Sequence, residues 1–95
     1  MSASSRRKGA TAEREFAAVL RSFGFEASRD SDRADLYHNV PGVHFEVKRQ
    51  ETLAIPKWCR QAELDCDGAV PVVAFRRSRE RWYVTLPADD FLRML

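Results

Sequence analysis

The chain is poor in cysteine, which argues against a fold stabilised by disulfides. Only Cys59 and Cys66 occur in its 95 residues. If both lie on one helix, two turns separate them by roughly 10 Å, which is too far for a disulfide bond. We therefore expect free thiols in a reducing compartment. The two cysteines also form no zinc-binding spacing with His38 or His44.

Long apolar runs are missing as well. None approaches the ~20 residues of a membrane-spanning helix, and the first residues lack the apolar core of a signal peptide. We therefore expect a cytoplasmic protein without a membrane partner. A large excess of one charge is also absent, because 16 Lys and Arg face 14 Asp and Glu for a net charge of +2. This balance alone is weak evidence for a nucleic-acid partner.

The length and the charge distribution predict one small domain with a basic extension. A chain of 95 residues fits a single domain with a modest core. We expect residues 1–8 to form a flexible arm and residues 9–95 to form the domain. The arm is either a solvated tail or a DNA contact through Arg6, Arg7 and Lys8.

Apolar residues at helical spacing follow this arm and predict the first helix. We expect Thr11 to cap its start and Gly24 its end. Glu13 lies at the rim of the apolar stripe, about 60° from Phe16 on the helical wheel. Its position alone favours an interaction with the helix dipole over a role in a site. The stripe consists of Ala12, Phe16, Val19, Leu20 and Phe23.

Residues 43–48 alternate between apolar and polar, which is the pattern of a half-buried strand. Glu46 and Lys48 lie two residues apart on the polar face, so about 7 Å separates them along the strand. Placing both charges on a half-buried strand costs desolvation free energy. The pair is therefore either a satisfied ion pair or a reaction centre. His44 shares this face, and we expect it to be a surface histidine.

The pattern along the chain predicts helix, three strands, helix, two strands and helix. A strand–helix–strand crossover beside a hairpin indicates a mixed sheet flanked by helices. Pro41-Gly42 predicts a tight turn between the second and third strands. If these are the two central turn residues, Asp35 lies opposite Lys48 and on the same face as Glu46. This placement depends on the strand register.

Asp35, Glu46 and Lys48 together suffice for metal-dependent phosphodiester hydrolysis. Two carboxylates on neighbouring strands can hold Mg²⁺, a hard cation that prefers oxygen ligands. The backbone carbonyl of Val47 can add a ligand. The lysine can orient the attacking water or stabilise charge on the phosphate. The spacing of the three residues is a weak pattern by itself, because Glu-x-Lys is common on solvated strands.

A longer series of motifs resembles the PD-(D/E)XK nuclease superfamily, and more narrowly the archaeal-type Holliday junction resolvases, which viruses also encode. The resemblance spans Lys8 to about Trp82 and is most specific in the first half. The matching motifs are Lys8-Gly9, Ala12-Glu13-Arg14-Glu15-Phe16, Gly24-Phe25, Arg29, Asp35-Leu36 and Glu46-Val47-Lys48.

The resemblance implies an α/β, restriction-endonuclease-like fold with a central mixed five-stranded sheet flanked by helices. It also implies a homodimer, dependence on Mg²⁺ with Mn²⁺ as a substitute, and cleavage of four-way DNA junctions. The location would be the host cytoplasm if the chain is viral. By the same resemblance the catalytic residues are Glu13, Asp35, Glu46 and Lys48, and the metal ligands are Glu13, Asp35, Glu46 and the Val47 carbonyl. Arg14 and Arg29 would lie near DNA, and Ser31 and Gln61 are further candidates.

The sequence is also compatible with three other functions. A repair or restriction-type endonuclease would use the same residues on duplex, flap or single-stranded DNA. A non-catalytic DNA-binding module would bind in a salt-dependent manner without cleavage. An interaction domain would use Glu46 and Lys48 as a structural ion pair, and no sequence feature favours it.

Overall fold

The computed structural model describes residues 3–30 and 35–95, and it describes side chains in 11–29 and 36–95. Within these ranges it is a small α/β fold with three helices and five strands. The predicted order of elements is confirmed. The elements are α1 (Ala3–Ser22), β1 (Ala27–Asp30), β2 (Asp35–His38), β3 (Val43–Arg49), α2 (Ile55–Asp65), β4 (Val70–Arg76), β5 (Tyr83–Thr85) and α3 (Ala88–Met94).

The strands form two small sheets, so the prediction of one five-stranded sheet is wrong for the described strands. β1 and β2 pair antiparallel in one sheet. In the other sheet, β3 pairs parallel with β4, and β4 pairs antiparallel with β5. The second sheet is therefore mixed, as predicted, and the α2 crossover joins its parallel strands.

The predicted hairpin between β2 and β3 is also wrong, and with it the register that placed Asp35 opposite Lys48. Two bonds hold the end of β2 to the first sheet: Asn39 donates its N–H to the Glu26 carbonyl, and its side-chain oxygen accepts from the Glu26 N–H. The Val70 N–H donates to the Gly42 carbonyl, which aligns the start of β3 with β4. The turn at Pro41-Gly42 therefore connects two sheets instead of two paired strands.

Helix α1 begins at Ala3, well before the predicted N-cap at Thr11. Residues 3–8 of the predicted arm thus belong to the helix, because Ala, Arg and Lys favour helix and one internal glycine is tolerated. The helix ends as predicted. Gly24 adopts a φ of +92°, and the Phe25 N–H donates to the Leu20 carbonyl at 3.1 Å. This is the Schellman motif that a C-terminal glycine allows.

Helices α1 and α2 cover opposite faces of the β3–β4–β5 sheet. The α1 face holds buried Phe16, Ala17 and Leu20 against Ala74, with Phe45 packed beside them. The α2 face holds buried Trp58 and Ala62 against Val73. Neighbouring positions on a strand point to opposite faces, so Val73 and Ala74 divide the core between the two helices.

Three smaller predictions have clear outcomes. Ala12, Phe16 and Leu20 are buried as expected, but Phe23 is 78% exposed because it follows the last turn of α1. Cys59 and Cys66 are both free thiols, as predicted. None of the described helices combines the length and the apolar character needed to span a membrane.

Candidate functional site

The polar face of β3 lies on the α2 side of the sheet. In the parallel register, His44 is paired with Pro71, Glu46 with Val73, and Lys48 with Phe75. Because paired residues share a face, the three polar side chains lie beside the apolar positions that α2 covers. The helix packs over β4, and β3 is an edge strand of its sheet. The polar residues of β3 are therefore only partly buried, which lets charged groups keep some solvation.

Glu46 is the centre of this polar face, and its two oxygens have different neighbours. Oε1 lies 3.8 Å from Lys48 Nζ, and Oε2 lies 3.6 Å from His44 Nε2. The side chain of Glu46 is 21% exposed, and those of His44 and Lys48 are 30% and 29% exposed. Both distances exceed those of hydrogen bonds, so the contacts are electrostatic.

Helix α2 adds a second carboxylate that the sequence analysis did not identify. Asp65 is its last residue, and it forms a cluster with His44 and Glu46 in which the ligand atoms lie within 4.8 Å of one another. Gln61, a predicted candidate, donates from Nε2 to Asp65 Oδ2 at 2.9 Å. The spacing of four residues between Gln61 and Asp65 on one helix could have revealed this pair.

The Val47 carbonyl points away from β4, toward the free edge of the sheet. The Val70 N–H binds the Gly42 carbonyl, and the Gln50 N–H binds the Arg76 carbonyl. Even-numbered residues of this strand therefore direct their backbone groups toward β4. Alternation then turns the backbone groups of Val47 to the other side. This direction is compatible with the predicted role of the carbonyl as a metal ligand.

Glu13 lies apart from this cluster. It projects from α1, which covers the opposite face of the sheet, and its Oε1 lies 3.4 Å from Arg29 Nε. Arg29 is 14% exposed and binds Glu13, so its guanidinium already has one anionic partner. Among the described residues, the group of potential metal ligands around Glu46 does not include Glu13. The predicted metal role of Glu13 and DNA role of Arg29 remain predictions.

The other predicted residues are placed only in part. Asp35 begins β2, where it pairs with Asp30, and only its backbone is described. Arg6, Arg7 and Lys8 lie in α1, with their backbone alone described. Arg14 is exposed on the same helix. Ser31 lies outside the described residues.

Glu15 is an interaction centre that the sequence analysis did not single out. Arg76 donates to its Oε2 from Nη2 at 2.8 Å and from Nε at 3.1 Å, and Arg49 donates to Oε1 at 3.2 Å. The two arginines end neighbouring parallel strands, where they are register partners. Glu15 therefore attaches α1 to the ends of β3 and β4. This end of β3 also carries Lys48.

His38 lies at the end of β2, and its protonation is perturbed by its surroundings. Burial lowers the pKa of His38 below its usual 6.5, and the nearby charge of His44 lowers it further. The Val40 N–H donates to His38 Nδ1 at 3.1 Å, and the ring contacts Phe45. An imidazole that accepts this bond must be unprotonated at Nδ1.

The described geometry thus unites Glu46, Lys48, His44 and Asp65, and Glu13 is not a member of this group. Such a set can bind a divalent cation and an anionic group beside it. The family assignment stays a prediction from the sequence motifs, because no protein-family model, curated protein or solved structure matched the chain.

Proposed function

We propose that the protein is a metal-dependent endonuclease that cleaves phosphodiester bonds in DNA. The observation that carries the proposal is the position of Lys48 Nζ, 3.8 Å from Glu46 Oε1 on a half-buried strand face. Asp65 supplies a second carboxylate beside this pair. A solvated ion pair requires neither the partial burial nor the second acid. Both features favour a carboxylate that holds a cation next to a lysine, because partial burial reduces screening and a second acid adds negative charge.

The donor atoms fit a hard divalent cation such as Mg²⁺. Glu46 offers a carboxylate oxygen, and the Val47 carbonyl points to the open edge beside it. Asp35 would complete the set through the family resemblance. When bound, such a cation polarises a phosphate oxygen and lowers the pKa of a coordinated water. Mg²⁺ needs few protein ligands because it keeps several waters, and Mn²⁺ would substitute for it.

Lys48 has a separate role in this proposal. Its ammonium remains near Glu46 and would orient the attacking water or stabilise negative charge on the phosphate. Glu46 would hold the cation rather than accept the proton. This division matches the order of the acid and the lysine in the motif that resembles the nuclease superfamily.

DNA is the proposed polymer because of basic residues and the sequence motifs. Arg6, Arg7 and Lys8 lie in α1 and Arg14 is exposed on it, so the helix carries positive charge. Four-way junctions are the proposed substrate, and a homodimer with two symmetry-related sites would cut opposing strands. Duplex, flap and single-stranded DNA remain the alternative substrates.

The test is a cleavage assay on a four-way junction and on a linear duplex of the same sequence. We expect cutting with Mg²⁺ or Mn²⁺ and none with a chelator. Lys48→Ala should reduce cleavage by at least 100-fold, the scale of a lost transition-state contact, while junction binding persists. Lys57→Ala, which removes an exposed lysine of α2, is the matched control and should cut normally. Full activity of purified Lys48→Ala would refute the proposal.

A further inference from the structure

His44 carries a polar atom that the described structure leaves unsatisfied. Its Nε2 is buried from solvent and has no hydrogen-bond partner among the described residues. The Oε2 atom of Glu46 lies 3.6 Å from it. A buried nitrogen without a partner carries a desolvation cost. This cost is recovered when the atom binds a ligand.

The residues around this nitrogen indicate the kind of ligand. His44 belongs to a cluster with Glu46 and Asp65, in which two residues of β3 meet the last residue of α2. The cluster has one imidazole nitrogen and two carboxylate oxygens as donors. Two carboxylates in proximity repel each other, and Lys48 compensates only one of them. The site therefore attracts a cation.

The donor set distinguishes among divalent cations. Mg²⁺ strongly prefers oxygen ligands, whereas Zn²⁺ and Mn²⁺ accept imidazole together with carboxylates. We propose that His44, Glu46 and Asp65 bind a divalent transition-metal ion, Zn²⁺ or Mn²⁺, more tightly than Mg²⁺. This inference rests on the proposed function for its role in the reaction, because it names the cation class and two further ligands of the same site.

The distances agree with such an ion. Tetrahedral Zn²⁺ with bonds of about 2.0–2.1 Å holds its ligand atoms about 3.3 Å apart. His44 Nε2 and Glu46 Oε2, at 3.6 Å, are already close to this separation. Asp65 is exposed at the end of its helix, so a side-chain movement of order 1 Å brings its oxygen into place. Gln61, bound to Asp65 Oδ2, would orient that carboxylate.

Lys48 does not occupy the position of the cation. It approaches Oε1 of Glu46, whereas His44 approaches Oε2. One oxygen can therefore bind the metal while the other remains near the ammonium. The same arrangement leaves Lys48 next to any anion that the metal binds.

Metal affinity is measured on the full chain by calorimetric titration with Zn²⁺, Mn²⁺ and Mg²⁺. All zinc titrations use a Cys66→Ser background, because this thiol follows Asp65 directly and could bind zinc by itself. In this background, we expect the affinity for Zn²⁺ to exceed that for Mg²⁺ by at least 100-fold. His44→Ala and Asp65→Asn should each weaken Zn²⁺ binding at least tenfold, and His44→Ala should change Mg²⁺ binding less than threefold.

Asp67→Asn is the matched control for Asp65→Asn. Asp67 is exposed just beyond α2 with a φ of +47°, a conformation that asparagine tolerates. This variant loses the same charge and should bind Zn²⁺ normally. Asp65→Asn changes an exposed residue, so it tests the site even if His44→Ala unfolds. Circular dichroism confirms the fold of each variant.

Two results would overturn the inference: no preference for Zn²⁺ over Mg²⁺, or equal Zn²⁺ affinity in Asp65→Asn and Asp67→Asn. The proposed function fails separately. Normal zinc binding without cleavage of any DNA would remove the nuclease assignment and leave the metal site. If His44→Ala changes neither DNA cleavage nor zinc affinity, the proposed metal site is refuted and the nuclease assignment remains.

Discussion

Replacing Glu15 with glutamine should destabilise the fold at the junction of α1, β3 and β4. The carboxylate accepts three hydrogen bonds from Arg49 and Arg76, at 3.2, 3.1 and 2.8 Å. Its side chain is 31% exposed and that of Arg76 is 16% exposed. A charge-assisted bond contributes about 1.5–3 kcal/mol when buried and well under 1 kcal/mol when exposed.

These partly buried bonds fall between the two limits, at roughly 0.7 kcal/mol each. Glutamine keeps one acceptor oxygen, but it removes the charge from all three bonds and turns an N–H₂ donor toward a guanidinium. We therefore expect Glu15→Gln to lower the free energy of unfolding by about 2 kcal/mol. For a chain of this length, that loss corresponds to a fall in melting temperature of about 10 °C. Arg49→Gln removes one of the three bonds and should cost about a third as much.

Urea unfolding at pH 7.5, followed by circular dichroism, measures these changes. Glu63→Gln is the matched control, because it removes an equal charge from an exposed position of α2. A double-mutant cycle between Glu15→Gln and Arg76→Gln should give a coupling energy of at least about 0.5 kcal/mol. If Glu15→Gln costs no more than Glu63→Gln, the three bonds do not stabilise the fold and the reasoning is refuted.

Two further predictions concern the core and pH. Val73→Ala should lower the free energy of unfolding by about 2 kcal/mol in urea titrations, because Val73 of β4 is 1% exposed beneath α2 and the smaller side chain leaves a cavity. An unchanged midpoint would contradict the packing. His38 has a lowered pKa in the folded state, so the unfolded chain binds the proton first. Its contribution to the free energy of unfolding should be present above pH 6.5 and be lost progressively as pH falls below that value. The urea midpoint of His38→Gln should vary less between pH 7.5 and 5.5, and equal variation would exclude His38 as the cause.

Much of the local structure could be predicted because its causes lie within a few residues. The cap at Gly24 follows from the freedom of glycine at positive φ, and the actual φ is +92°. The alternation of residues 43–48 correctly separated Phe45, in the α1 core, from Glu46 on the other face. The start of α1 could not be located this way, because residues 3–8 lack an apolar stripe and their helix depends on propensity alone.

The sequence alone determined the order of the elements and the adjacency of Glu46 and Lys48, since both depend on periodicity along one segment. Only the tertiary structure decided the partners. β2 pairs with β1, and β3 with β4, because bonds between distant residues outweigh the proximity of β2 and β3 along the chain. The same long-range packing brings Asp65 to His44. No local sequence pattern predicts the proximity of Asp65 to His44, because it arises only when α2 crosses the sheet.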